Sequence, residues 1–127
     1  TLKLARHDWQ LVQATLLAEE GMEAIRSIRD FGWQPNITSL TAGTKYYLTF
    51  DSLNNHWATT TVNTFVDGLF ERSVIKTAVY RDGSNNIAAS GTLDPSTVKI
   101  TVTVAWFSNN ATTTKTLETY LANLFGA

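Results

Sequence analysis

Few residues in this sequence could do chemistry, and their spacing argues against most of it. His7 and His56 are the only histidines, and no set of His, Asp or Glu at ligand spacing accompanies either. A zinc site needs three or four converging ligands, so no metal and no cofactor is assigned. Cysteine is absent, which removes disulfides, thiolate ligands and thiol nucleophiles together. The members of a Ser-His-Asp triad can lie far apart in a chain, but no G-x-S-x-G nucleophile elbow is present. Gly43, Gly68, Gly83 and Gly91 each stand alone in turn-like surroundings, so no phosphate-cradling loop is found either. No catalytic residue is assigned, and the chain reads as a non-enzyme.

Three local patterns imitate sites. Glu19-Glu20 resembles a catalytic carboxylate pair, but adjacent helical residues diverge by about 100°. With Arg26 and Arg29 close by, a solvated helix face is the expected reading. Asp82-Gly83-Ser84-Asn85-Asn86 spaces its oxygen side chains as calcium loops do. It lacks the second Asp and the closing Glu of an EF-hand, and a hairpin turn is expected. Asn36-Ile37-Thr38 and Asn110-Ala111-Thr112 fit N-x-[ST], a match that a Thr-rich chain produces by chance. The net charge of −1 comes without any Lys/Arg run, so the counterion release that drives nucleic-acid binding has no source.

The elements that carry these residues are legible. Apolar residues at 43% exclude disorder, and 127 residues fit one domain over 1–127. Charged residues at 17% are sparse, and the hydroxyl-rich remainder suits an exported protein. No apolar stretch of about 18 residues is present to span a membrane. The chain opens at Thr1 inside a helical pattern, as a piece cut from a longer precursor would. Ala, Leu, Gln, Glu and Arg dominate as far as Asp30, with Gly32 and Pro35 as stop signals, predicting a helix over about 2–31. At 100° per residue Leu11, Ala14, Leu17, Ala18, Gly21, Met22, Ile25 and Ile28 form one apolar stripe. Leu17, Gly21, Ile25 and Ile28 are expected to hold a sheet, with Gly21 as the point of closest approach.

Trp9, Val12 and Leu16 project to the side that becomes charged after Glu19. The first half of the helix is therefore apolar on two faces, and a helix of that kind is normally covered on both. One face can meet the sheet of its own chain. The other is a candidate assembly surface, the competing expectation being that a loop or the C-terminal tail covers it.

Beyond Gly32 the period changes. Tyr46–Asp51 and Trp57–Val62 flank a hairpin turn, Phe70–Arg81 is rich in β-branched and aromatic residues, and Asp94-Pro95 suggests another turn. Val98, Ile100, Val102, Val104 and Trp106 alternate with Lys99, Thr101, Thr103 and Ala105, the signature of a strand with one buried face. Asn109-Asn110 turns the chain again, and Thr112–Leu121 reads as a last strand, although Leu117, Leu121 and Leu124 also fit a helix. The expected fold is α+β: a long N-terminal helix packed across an antiparallel sheet, with a β-rich head over about 44–122.

The run Gln13-Ala14-Thr15-Leu16-Leu17-Ala18-Glu19-Glu20-Gly21-Met22-Glu23-Ala24-Ile25-Arg26-Ser27-Ile28-Arg29-Asp30, closed by Gly32-Trp33, resembles the helix end of type IV pilin-like proteins, of the minor pilin or pseudopilin group. Asp67-Gly68-Leu69-Phe70-Glu71-Arg72, Val79-Tyr80-Arg81-Asp82 and Ser90-Gly91-Thr92-Leu93-Asp94-Pro95 follow the same order as in that group. The resemblance implies a pilin-like fold and a structural subunit of a type IV pilus or type II secretion-like pseudopilus. Its partners would be other pilin or pseudopilin subunits. It further implies anchoring in the inner membrane through an upstream apolar half-helix, then a place in a filament at the cell surface or facing the periplasm. Trp9, Val12 and Leu16 would meet neighbouring helices. The disulfide that closes the C-terminal loop of many pilins has no cysteines here. The competing expectation is an extracellular carbohydrate- or surface-binding module using Tyr46, Trp57 and Trp106 as exposed platforms.

Overall fold

The Ala-, Leu- and Glu-rich start of the chain forms one continuous helix, α1 (Leu2–Phe31). Its last turn closes where the Gly32 N–H donates to the Arg29 carbonyl at 3.1 Å. The structure, a computed structural model, describes the backbone of residues 2–124 and the side chains of residues 9–124. Strands follow as β1 (Lys45–Asp51), β2 (His56–Thr60), β3 (Glu71–Arg81), β4 (Ile87–Ala88), β5 (Thr92–Ser108) and β6 (Ala111–Ala122). They build one antiparallel sheet in the order β2-β1-β3-β5-β6, with the short β4 paired to β3. The fold is therefore α+β, a single N-terminal helix laid on one face of an antiparallel sheet. Among the described residues no helix is long and apolar enough to cross a membrane.

The alternation of β5 sets which face the helix covers. Val98, Ile100, Val102, Val104 and Trp106 are buried, while Lys99, Thr101, Thr103 and Ala105 keep partial access to solvent on the opposite face. Opposite them on α1 lie Ala14, Ala18, Met22, Ala24, Ile25 and Ile28, all buried. Gly21 is buried too, and a Cβ placed there would sit 3.0 Å from Val102 Cγ1 and 3.1 Å from Arg72 Cδ. The expected close approach is thus realised, and the approximately 1 kcal/mol that Gly costs inside a helix is offset by contact between helix and sheet. Leu17 sits on the flank of the stripe and is only partly buried, packed against the core.

Three expectations need correction. Leu11 belongs to the predicted core stripe but is 40% exposed; among the described side chains the first buried one on α1 is Ala14. Asp94-Pro95 is not a turn but part of β5. The β3–β5 register is irregular between Ala78 and Tyr80, so Pro95 lies in a stretch without regular ladder bonds, where its missing N–H is tolerated. The second strand of the first hairpin ends at Thr60 rather than Val62.

Val102→Asp buries a charge with no partner and is expected to destabilise the domain by about 4 kcal/mol. Thr103→Asp, on the open face, is expected to cost about 1 kcal/mol or less. Urea titrations of the two variants check this, and equal midpoints would show that the faces are assigned wrongly.

Candidate functional site

Upstream of Glu19, α1 presents the second apolar face read from its sequence. Trp9, Val12 and Leu16 are 61%, 48% and 59% exposed, one to two turns apart on the same side of the helix. Leu11, 40% exposed, lies on the core side of the helix and not with these three. Leu16 also borders a groove of about 200 Å³ shared by Gln13, Leu17 and Glu20 of α1 with Asp67 and Phe70. The latter two belong to the turn in which the Val66 N–H donates to the Phe70 carbonyl at 2.8 Å. Asp67 and Gly68 there take φ of 54° and 65°. Of the residues predicted to hold the sheet, Gly21, Ile25 and Ile28 are buried and Leu17 half-buried, so the two predicted sets do separate onto different sides.

Glu20 of this groove is bonded to a group that sequence patterning missed. Arg72 of β3 points into the helix–sheet layer and is 6% exposed. Its guanidinium donates to the Leu17 carbonyl at 3.1 Å and to Glu20 Oε1 at 2.6 Å, and lies 5.5 Å from the centre of the Trp57 ring. A buried cation needs this kind of paired, hydrogen-bonded and aromatic surrounding. Glu20 is therefore not balanced by Arg26 and Arg29, which pair with Glu23 and Asp30. The signal was present: strand period 2 places Arg72 between Phe70 and Val74, both buried.

The remaining candidate residues are occupied by structural contacts. Asp82 Oδ1 accepts from the Ser84 and Asn86 amides at 2.9 and 3.0 Å, a carboxylate that closes its own turn. Arg81 Nε donates to Asp94 Oδ2 at 2.8 Å. That bond, joined by the Ser96 amide, holds the Asp94 carboxyl below its ordinary range. Of the proposed aromatic platforms, Trp106 is buried against Phe70 with ring centres 5.8 Å apart. Trp57 lies under Arg72, and the Tyr46 hydroxyl oxygen accepts from the Thr41 amide at 2.7 Å. His56 rests against Phe31 at 5.0 Å between ring centres, and the side chain of His7 falls outside the described residues. No three His, Cys, Asp or Glu side chains among the described residues gather in a way that could hold a metal ion.

No family model, curated protein or solved structure matches this chain.

Glu20→Ala is expected to cost roughly 1–2 kcal/mol in urea titration, less than a fully buried pair would because Glu20 is itself half exposed. In an Arg72→Met background the same change is expected to cost nothing measurable, and equal costs in both backgrounds would show that the two charges are not coupled.

Asp94, with its lowered folded value, contributes stability that is present at neutral pH and lost as pH falls below about 4 through that value. The Tm difference between the native chain and Asp94→Asn should accordingly be largest near pH 7 and close in acid. A difference that stays constant down to pH 2 would remove the ionised carboxylate from the account.

Proposed function

We propose that this chain is a structural subunit of a type IV pilin-like filament, a pilus or a type II secretion-like pseudopilus, which assembles through α1. The observation that carries this reading is the two-sided first half of the helix. Ala14, Ala18 and Gly21 are covered by the chain's own sheet, while Trp9, Val12 and Leu16 stay exposed on another side. Exposed Trp, Val and Leu at helical spacing form the contact surface that helix-in-groove and helix-to-helix recognition use. The pattern of small residues facing the sheet and large ones facing away suits a helix packed between its own domain and neighbouring helices. Its partners in this reading are other pilin or pseudopilin subunits, and its role is assembly rather than catalysis. The resemblance in the Gln13–Asp30 run supports the same reading and adds the upstream apolar half-helix, the inner-membrane anchor and the destination at the cell surface or in the periplasm.

Val12→Lys and Leu16→Glu are expected to leave this domain folded, with stability changed by about 0.5 kcal/mol or less. In the full precursor the same changes should reduce incorporation into filaments, since each would place a charge without a partner between helices. Thermal melts of the domain and shear-fraction immunoblots of cells check the two halves. Unfolding by both variants would return the patch to the chain's own core, and undiminished filaments would place assembly on another face.

A further inference from the structure

The longest open backbone surface is the free edge of β6. This strand pairs with β5 without interruption from Ser108↔Ala111 to Thr97↔Ala122, and no described strand lies beyond it. Two observations fix which of its backbone groups face outward. The Asn123 N–H donates to the Ser96 carbonyl at 2.8 Å. At the other end Asn109 and Asn110 take φ of 53° and 62°, a two-residue turn of the I′ kind whose flanking pair is hydrogen-bonded. Both give the same alternation. Residues 111, 113, 115, 117, 119 and 121 bond to β5, while Thr112, Thr114, Thr116, Glu118, Tyr120 and Ala122 turn their N–H and C=O groups to the open edge. Of the usual guards against edge pairing, proline and bulges are missing from β6. Its charges are Lys115 and Glu118, and Glu118 is engaged by Lys99 at 2.9 Å.

We propose that this edge pairs with β6 of a second copy of the chain, antiparallel about a two-fold axis at Leu117, joining two sheets into one. Only an extended backbone can satisfy such a row of alternating donors and acceptors. The strand is its own complement. In this register Thr112 meets Ala122, Thr114 meets Tyr120 and Thr116 meets Glu118, so every outward group from 112 to 122 finds a partner. Leu117, partly buried against the core, meets Leu117 of the second copy. Moving the axis to Thr116 would set Leu117 against Lys115 and leave the far end of the strand unpaired.

Charge selects the same arrangement. Along this flank a groove of about 380 Å³ runs between Glu19, Met22, Glu23 and Arg26 of α1 and Leu117 and Thr119 of β6. Glu23 is paired with Arg26, whereas neither Glu19 nor Lys115 has an ion-pair partner among the described residues. A two-fold axis perpendicular to the sheet keeps both helices on one side, so Lys115 of the second copy stands opposite Thr119 and reaches the Glu19 carboxylate. Symmetry makes the contact twice, and no like charges face each other across the pair. This inference stands on the strand and does not depend on the filament reading.

Light scattering and sedimentation equilibrium of the 127-residue chain test it, with melts and circular dichroism as controls for folding. The native chain is expected to show the dimer mass. Thr116→Pro removes an N–H that points only to the open edge, and Lys115→Glu opposes Glu19. Each should lose the dimer while keeping the native spectrum, and adding Glu19→Lys to Lys115→Glu should restore it. If the proline variant does not fold, the charge pair decides alone. Hydrogen exchange at 112, 114, 116, 118 and 120 should slow as the concentration rises. A native chain that stays monomeric at every concentration overturns the proposal, as does a dimer that survives both Thr116→Pro and Lys115→Glu. Loss of the dimer in Val12→Lys or Leu16→Glu would also overturn it, by moving the association to the helix flank.

Discussion

The close approach of α1 to the sheet at Gly21 is the constraint on which the other features depend. A hypothetical Cβ at this position meets Val102 and Arg72 at the limit of contact, with Leu48 Cδ1 at 3.6 Å. With Ala18 and Ala14 one and two turns upstream, the helix presents small side chains along this part of its buried face. That is what lets a side chain as long as Arg72 lie between the layers without forcing them apart. The same closeness brings the Leu17 carbonyl within 3.1 Å of the guanidinium. Downstream the helix switches to Met22, Ile25 and Ile28, all buried, and the core fills with larger groups. A rotation of the helix by one position would put Met22 where Gly21 is and expel the arginine. The small-residue stripe therefore fixes both distance and rotation, and rotation decides which residues are left facing outward.

Much of this was legible because burial on one face leaves a period in the sequence. The helix stripe through Ile25 and Ile28 and the strand from Val98 to Trp106 are simple periods of 3.6 and 2, and both follow the structure. Leu11 fails for a reason that no period contains: whether a residue of the stripe is covered depends on tertiary placement. Arg72 was overlooked because a charged residue is read as exposed by default, although its strand position demanded burial. Asp94-Pro95 carries a turn signal that a local irregularity in the ladder overrides. The exposed patch of Trp9, Val12 and Leu16 was readable because apolar residues off the core stripe are conspicuous. The free edge of β6 was not, since strand order is a property of the whole sheet.

The two exposed features make different geometric demands. Pairing of β6 with itself is isologous: the same surface serves both copies, and the contact closes after two. A helix flank that meets a different surface on its neighbour is heterologous and can repeat without closing. In the filament proposed above, growth would then come from the helix, while the strand edge would link subunits only in pairs. Both helices of such a pair would lie on one side of the joined sheet, because the axis stands perpendicular to it. The residues at the join, Leu117 and Thr119, line the groove beside Glu19 and Glu23, whereas Leu16 borders the groove with Asp67 and Phe70. The two contacts thus use different grooves along α1. Occupying one leaves the other open, so pairing through β6 and growth through the helix are compatible at these residues.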